Sequence, residues 1–547
     1  GDYPQKDQLS DAFVRGELKQ LKSQTRMLPT IFLLIAAAVQ YVMLGRMIKA
    51  QRMQIGIMKA LGYTSSQIIR HYTGYAVAIG VLGAVLGSIF GIWLAGAFSS
   101  LYAEYFNFPR AIGGVNYTAI VKGVVLSLSV AALSGIISTR GVLRINPAEA
   151  LRPEPPQQGH AVWLEKWPRL WQKLNSAWKM SLRAIGRNRR RFLVTLLGVI
   201  CSTGLLVTSI FLKDTMDYMR QRAFFNEQRY DIMVRFKQPQ DQRVLYDIIR
   251  LPGVIKSEPV MEVPVKIRVR GKTRQEVIQG LPEGVTLRHI AGTKGQPLGV
   301  PGTGILVSNQ TANKLDIQVG DQVTVETMLG YGPKRTARVL VMGVNQQIAG
   351  STAFASLQTV NQILRERNLV TGVMLKTDPQ YLDQVQRELA SINGITSVVS
   401  RQKDLSNFDK NLETMDVSLY IMVGFALLLG FAIIYNSSVI SFAERQRELA
   451  TLRVIGLSVK EVAGLLRKEV LLYGLLGALF GLPVGRMMAI GLAKAASTDL
   501  YQFEAIIYPS TYLWAAVMTG VFITVGHLLG VRGIKKLDLV EVLKNRD

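Results

Sequence analysis

The nearest approach to a phosphate-cradling loop in this chain is Gly271-Lys272-Thr273. Such a loop reads Gly-x-x-x-x-Gly-Lys-Ser/Thr between a strand and a helix, so that backbone N–H groups wrap the phosphates and the lysine reaches the outer ones. Here Lys266 stands where the first glycine is required, and the surroundings are Val-rich strand. Arg270-Gly271-Lys272 therefore reads as a hairpin turn. The four histidines, His71, His160, His289 and His527, are scattered and lack metal-ligand spacing. The single cysteine, Cys201, lies in an apolar run and offers neither a disulfide framework nor a thiolate metal site. No Gly-x-Ser-x-Gly nucleophile turn is present. Gln40, Asn436, Arg486 and His527 are polar residues within apolar segments, where a functional role is the default. Arg486 reads as snorkelling to a membrane surface, and Asn436 and His527 as interhelical hydrogen-bonding groups.

The elements that hold these residues are membrane spans. The chain has 547 residues, 49% of them hydrophobic and 19% charged, and the apolar ones are clustered. A helix needs about 20 apolar residues to cross the hydrocarbon core. Seven segments qualify, near 28–48, 72–99, 117–138, 192–213, 417–442, 469–493 and 511–531. The formal net charge of +26 would point to nucleic acid on a soluble protein. Here the Lys and Arg flank apolar segments and act as topology signals. They concentrate in 49–71, 139–191, 443–468 and the tail after 531, which seven crossings place on one side, the cytoplasm. The stretch 1–27, the loops 100–116 and 494–510 and the long segment 214–416 are then outside. Trp163, Trp167, Trp171 and Trp178 mark an interfacial linker.

Two cytoplasmic linkers align without gaps. Gln51-Arg52-Met53-Gln54-Ile55-Gly56-Ile57-Met58-Lys59-Ala60-Leu61-Gly62 matches Arg445-Gln446-Arg447-Glu448-Leu449-Ala450-Thr451-Leu452-Arg453-Val454-Ile455-Gly456. The register persists into the next span, where Gly80, Gly83, Gly87 and Gly91 fall on Gly474, Gly477, Gly481 and Gly485. The chain thus holds two copies of one three-span unit. Ile55, Met58 and Leu61 recur at helical spacing, as do Leu449, Leu452 and Ile455. Gly62 and Gly456 suit a left-handed helix C-cap. Thr64-x-x-Gln67 and Ser458-x-x-Glu461 then have the form of capping boxes. Each linker is read as an elbow: a short amphipathic helix, a turn and a freshly capped helix. A docking surface made twice is favoured over two helices resting on the bilayer. Gly83, Gly87 and Gly91, and Gly477, Gly481 and Gly485, form small-residue faces for close helix packing.

On these residues the chain resembles the FtsX-like permease family, which includes MacB-like exporters and lipoprotein-extracting permeases. The resemblance rests on Glu-Leu-Ala-x-Leu-Arg-Val-Ile-Gly at 448–456 and the capped Gly-rich span after it. It rests also on Asn-Pro-Ala-Glu-Ala-Leu-Arg at 146–152 and on Leu182-Arg183-Ala184-Ile185-Gly186-Arg187-Asn188 before an apolar span. Gln54 stands where the family has Glu, and Leu539 replaces the closing-motif Pro in the second copy. The fold implied is a membrane α-helical protein, with seven predicted spans in two repeated FtsX-like units and an extracytoplasmic α+β domain. The expected divisions are 1–27, the end of a first outer domain or stalk; 28–152, the first three-span unit; and 153–191, an interfacial linker. They continue with 192–213, the first span of the second unit; 214–416, a MacB-like core domain; and 417–547, the second three-span unit. A family unit has four spans, so a further span and outer domain are expected before residue 1.

Within 214–416, strand–helix–strand patterns are expected at Tyr230–Phe236, Asp241–Ile249 and the strand after Gly253. A second set is expected at Gly372–Lys376, Gln380–Ile392 and the strand after Gly394, with a β-rich stretch between the two. The resemblance implies a non-catalytic permease subunit of an ATP-binding cassette transporter in a bacterial cytoplasmic (inner) membrane. ATP and Mg would be bound by a cytoplasmic ABC ATPase present in two copies. The other partners are the lipid bilayer and, for some members, a periplasmic or extracellular adaptor; no nucleic acid is expected. The ATPase-docking residues implied are Ile55, Met58, Lys59, Leu61 and Gly62 in one elbow and Glu448, Leu449, Leu452, Arg453, Ile455 and Gly456 in the other. The alternative function is a signalling scaffold whose motion regulates an extracytoplasmic enzyme; the doubled core favours transport.

Overall fold

The computed structural model describes residues 51–105, 115–140, 165, 168–187, 189–293, 295–328, 334–347, 351–497 and 504–530, with scattered positions between 30 and 48. These residues form two compact units. One comprises 212–416 with the described part of 490–506; the other comprises the described parts of 23–211 with 417–489 and 507–530.

The second of these is helical. Its first elbow helix, α1, is Arg52–Ala60, followed by α2, Ser65–Tyr105, and α3, Tyr117–Arg140. After an amphipathic helix at Ser176–Arg187 come α4, Arg189–Arg220, and α5, Arg401–Glu444. The second elbow helix, α6, is Gln446–Val454, followed by α7, Val459–Ala496, and α8, Pro509–Gly530. Among the described residues, six segments are long and apolar enough to cross a membrane: Ser65–Ala97, Tyr117–Arg140, Phe192–Glu227, Asp416–Ala443, Glu461–Ala495 and Pro509–Gly530. They answer to six of the seven expected spans. The expected span at 28–48 falls on residues only partly described, and the closing motifs after 140 and 531 lie outside the described residues.

Within this unit small residues bring helices together. Gly135 of α3 packs on Ala76 and Thr73 of α2, where an added methyl would meet Ala76 Cβ at 3.0 Å. Ser138 donates to the Tyr41 carbonyl at 3.2 Å, and Gln40 Nε2 donates to the Ala76 carbonyl at 3.0 Å. In the second repeat Val199, Leu205, Leu206, Val207, Ile433, Ile434, Tyr473, Phe522 and Ile523 form one buried cluster across α4, α5, α7 and α8. Ser202 donates to the Ala426 carbonyl at 2.8 Å, and the Thr203 and Thr519 hydroxyls pair at 3.0 Å. These bonds satisfy polar side chains where no water competes.

The other unit is the expected α+β domain. β1 (Ile232–Asp241), the helix Val244–Ile248 and β2 (Val254–Val269) form the first strand–helix–strand pattern. β10 (Leu369–Thr377), the helix Leu382–Ser391 and β11 (Ile395–Ser400) form the second. Between them lie β3 (Lys272–Leu281), the short β4 (Ile290–Ala291) and β5 (Pro297–Leu298), β6 (Ile305–Ser308), β7 (Gln322–Thr327), β8 (Thr336–Asn345) and β9 (Thr352–Ser356). The main sheet runs β11-β1-β10-β2-β3-β9-β6-β8-β7, and β7 pairs again with β2. The last six strands therefore close into a barrel, which leaves no free edge there. β2 serves both lobes: Val254–Val260 pairs with β10 and Met261–Val269 with β3. The barrel is filled by apolar side chains that include Val263, Val265, Ile267, Val307, Val323, Val325 and Val341. Arg270 and Gly271 have φ of +47° and +81° between paired residues Val269 and Lys272. That is a two-residue hairpin turn, so Gly271-Lys272-Thr273 leads from strand to strand and opens no helix.

At the base of this domain α4 continues into a π-helix, Gln221–Glu227. Arg220 holds Asp409 of α5 through two bonds of 2.7 and 3.3 Å. Arg222 lies at the centre of a buried cluster: Nε to Glu227 at 3.2 Å, Nη1 to the Tyr218 hydroxyl at 3.2 Å and Nη2 to the Gln346 carbonyl at 3.0 Å. Glu504, in the loop after α7, lies 3.7 Å from Arg222 Nη1 and accepts a hydrogen bond from Gln346 Nε2. Thr215 Oγ1 donates to the Glu504 carbonyl at 3.1 Å.

Candidate functional site

The two elbows share one construction. Each short helix ends on a glycine in the left-handed region, Gly62 at φ +91° and Gly456 at φ +106°. Gly62 N donates to the Lys59 carbonyl at 3.1 Å and Tyr63 N to Met58 at 3.0 Å; Gly456 N donates to Arg453 and Leu457 N to Leu452, both at 3.1 Å. These crossed bonds are the Schellman closure, which needs a residue without a β-carbon penalty at positive φ. Both capping boxes are formed. Thr64 N donates to Gln67 Oε1 at 2.8 Å with Gln67 N returning to Thr64 Oγ1 at 3.4 Å. Ser458 N donates to Glu461 Oε2 at 2.8 Å with Glu461 N returning to Ser458 Oγ at 3.3 Å.

The elbow interiors correspond residue for residue. Ile48, Ile55, Ile68 and Tyr72 form a buried cluster against which Met58 packs. At the matching positions Phe442, Leu449, Val462 and Leu466 form the second cluster, with Leu452 against it. The candidate docking residues therefore separate into two groups. Ile55 and Leu449 are 2% and 0% exposed and bind each elbow to the helix that follows it. Met58 and Leu452 are half-buried against the same clusters, and Lys59 and Arg453 are half-buried beside them. Glu448 takes a hydrogen bond from Arg445 Nε at 2.9 Å. Leu61 and Ile455, equivalent residues just before the left-handed glycines, are 73% and 71% exposed. Met53, Ile57 and Val454 are also exposed and enlarge this apolar surface. The sequence reading did not single them out, because helical spacing marks which residues share a face and not which face is covered.

The glycine stripes diverge between the repeats. Gly477, Gly481 and Gly485 lie against Val199, Thr203 and Val207 of α4. Among the described residues, Gly83, Gly87 and Gly91 have no neighbouring atom within 4 Å of where a side chain would begin. They line an open trough of about 740 Å³ between α2 and α3. Of the polar residues inside spans, Gln40 bonds the Ala76 carbonyl, Asn436 is half-buried, Arg486 is exposed and His527 is buried.

Long apolar helices in two copies of one elbow-bearing unit, with a folded α+β domain between them in sequence, define a multi-pass membrane protein of repeated construction. The comparisons specify it further. The FtsX-like permease C-terminal model matches residues 26–147 and again 420–539. The MacB-like periplasmic core domain model matches 192–392. The chain belongs to the FtsX-like permeases and carries a MacB-like periplasmic core domain, and the proteins it resembles include ABC transporter permeases of the MacB and LolC kinds.

It is 23% identical over 410 residues to the macrolide export ATP-binding/permease protein MacB 2 of Aeromonas hydrophila, covering 68% of this chain and 61% of that protein. It is 21% identical over 354 residues to an uncharacterized ABC transporter permease protein of Mycobacterium tuberculosis, covering 60% of this chain and 39% of that protein. It is 27% identical over 217 residues to the lipoprotein-releasing system transmembrane protein LolC of Xylella fastidiosa, covering 38% and 52%. The chain thus spans about three-fifths, two-fifths and half of these relatives.

Proposed function

We propose that this chain couples ATP hydrolysis by a separate cytoplasmic ABC ATPase to movement of its extracytoplasmic domain, for export or for mechanical transmission across the membrane. The observation that carries this reading is the duplicated elbow, with Leu61 and Ile455 exposed at equivalent positions beside left-handed glycines. An ATPase pair offers two grooves, and the two elbows offer two matching apolar tips. Lys59 and Arg453, in the last turn of each short helix, would face acidic groups at the groove rims. Residues 1–547 contain no phosphate-cradling loop, so in this reading hydrolysis takes place outside these residues.

The second elbow leads into α7. Its capping box at Ser458 starts α7, and the loop after α7 carries Glu504, which is tied to Arg222, Thr215 and Gln346 in the extracytoplasmic unit. Tilting of α7 by the ATPase would pull on this loop. The test is copurification of the ATPase with the full chain, together with permease-dependent ATP hydrolysis, in Leu61→Ser/Ile455→Ser. Loss of binding with an intact fold is the expected result. Full ATPase binding and full coupling in that variant overturn the reading, and the elbows are then membrane-surface helices.

A further inference from the structure

A dense run of positive charge lies just before α4. Residues 165–191 hold nine Lys and Arg against one acidic residue, Glu165. Two helices carry the described part of this run, Pro168–Lys173 and Ser176–Arg187. Arg183 joins them. Its Nε donates to Glu165 Oε1 at 2.8 Å, and its guanidinium lies over the Trp171 ring at 5.4 Å. The one carboxylate is thereby engaged, and the segment has no other to balance its remaining eight cations.

The longer helix has two distinct faces. Ser181 and Ala184 are 0% and 6% exposed, and Ser181 Oγ donates to the Leu465 carbonyl of α7 at 3.1 Å. Lys179, Arg183 and Arg187 stand four residues apart, the spacing of a single helix stripe. Two residues along from Lys179, and two back from Arg183, Ser181 lies about half a turn round from that stripe. One face is therefore packed on α7 and the opposite one is basic. The depth of the helix follows from α7 as well. Lys468 Nζ lies over the Trp178 ring at 5.8 Å, and the apolar run Val470–Val484 begins two residues after Lys468. Trp rings and Lys ammonium groups at the end of an apolar run belong at the level of the lipid headgroups. At its other end the helix is followed by α4, whose apolar stretch starts at Phe192. A topology signal needs only charge near span ends. It requires neither a basic stripe opposite a packed face nor Trp rings at the same depth.

We propose that these two helices form a binding surface for anionic phospholipids, whose headgroups are held by Arg169, Lys173 and Lys179. Arg169 and Lys173 are exposed and Lys179 is half-buried, and none of the three has a carboxylate partner within the segment. A zwitterionic headgroup also carries a phosphate, but its own amine cancels the charge. Only an anionic lipid brings a net negative charge to a basic segment beside a span. Because the surface is bonded to α7 at Leu465, about two turns after the capping box at Ser458, headgroup binding steadies the start of the helix that follows the second elbow.

The test needs no partner protein, so it stands apart from ATPase coupling. In the full chain Trp93→Phe, Trp163→Phe, Trp167→Phe and Trp514→Phe leave Trp171 and Trp178 as fluorescent reporters. The protein is reconstituted twice into vesicles of phosphatidylglycerol and phosphatidylcholine in equal parts. In one preparation the phosphatidylglycerol carries bromine near the headgroup end of its acyl chains, and in the other the phosphatidylcholine does. Composition and surface charge are the same in both, so any difference in quenching reports which lipid lies beside the two helices. The expected result is a preference for phosphatidylglycerol of about threefold or more. It shrinks at ~1 M salt, where the screening length falls to about 3 Å. In Arg169→Gln/Lys173→Gln/Lys179→Gln quenching by the two labelled lipids becomes nearly equal, while Arg183 and its contact with Trp171 are kept. If that variant does not reconstitute, Lys173→Gln/Lys179→Gln replaces it and loses part of the preference. Equal quenching of the wild-type reporters by both lipids overturns the proposal and leaves the charges as topology signals. So does a preference that neither salt nor neutralisation of these residues reduces.

Discussion

Gly481 lies against Thr203 so closely that a methyl group on the glycine would sit 2.7 Å from Thr203 Cβ. Gly485 stands in the same relation to Val207, at 2.6 Å, one turn further along. Gly87, which occupies the position of Gly481 in the first repeat, meets no atom of the described residues within 4 Å. One sequence pattern therefore performs two physical tasks: it seats α4 in the second copy and floors a trough in the first.

The expected consequence is an asymmetric response to one substitution. Gly481→Leu forces α4 and α7 apart and costs about 1–3 kcal/mol, the range for overpacking a close contact. Gly87→Leu meets nothing and stays within about 0.5 kcal/mol, as for a surface change. Thermal aggregation of the purified variants in detergent checks both; equal shifts would show that the second interface is not tight.

At the base of the outer domain, Arg222 and Glu227 are both 9% exposed in their side chains. Removing one partner of a buried pair costs about 3–5 kcal/mol, because the other is left charged and unpaired. Arg222→Met should therefore loosen residues 212–227, read as faster hydrogen exchange there. Arg222→Met combined with Glu227→Gln should recover part of the loss, since the remaining buried carboxylate, held then by Arg288 alone, is gone. A double variant no better than the single one would place the cost in the Gln346 and Glu504 bonds instead.

The elbows were legible because capping chemistry is local. Gly62, Gly456, Thr64-x-x-Gln67 and Ser458-x-x-Glu461 each specify their hydrogen bonds within a few residues, and the repeat shows the pattern twice. The strand–helix–strand patterns of the outer domain were legible for the same reason. Closure of the barrel was not. It depends on β2 pairing with β10 along one half and with β3 and β7 along the other, partners far away in sequence. The division of elbow residues into buried Ile55 and Leu449 and exposed Leu61 and Ile455 was also hidden. Periodicity groups them on one side, and only the following helix decides which are covered.

In the barrel, burial pushes the Glu276 carboxyl above the usual carboxylate range, against the pull of Ser308, Thr311, Ser351 and Arg274. A carboxyl raised on folding contributes stability that is full below its unfolded pKa and is lost as pH rises through the folded value. Glu276→Gln removes that loss. Protease resistance of the outer domain, followed against pH in the full chain, should decline from mildly acidic to neutral pH in the wild type. It should stay flatter in Glu276→Gln, with the variant the more resistant at neutral pH. A steeper decline in the variant would reverse the sign and show the carboxylate to be stabilising.

The sharpest separation of roles is expected within the second elbow. Leu449 is buried against Val462 and Leu466, so Leu449→Ala should cost about 2–5 kcal/mol locally, as core truncations do. It would free the short helix from α7 and reduce both ATPase binding and coupling. Gly456→Val acts differently. A β-branched residue resists φ of +106°, so the Schellman closure opens and the angle between α6 and α7 changes while the α6 surface remains. ATPase copurification should then persist while permease-dependent ATP hydrolysis falls. Hydrogen exchange at Gly456 and Leu457, whose amides bond Arg453 and Leu452, gives an independent reading of whether the closure has opened. Unchanged exchange and unchanged coupling in Gly456→Val would remove the glycine from the transmission route.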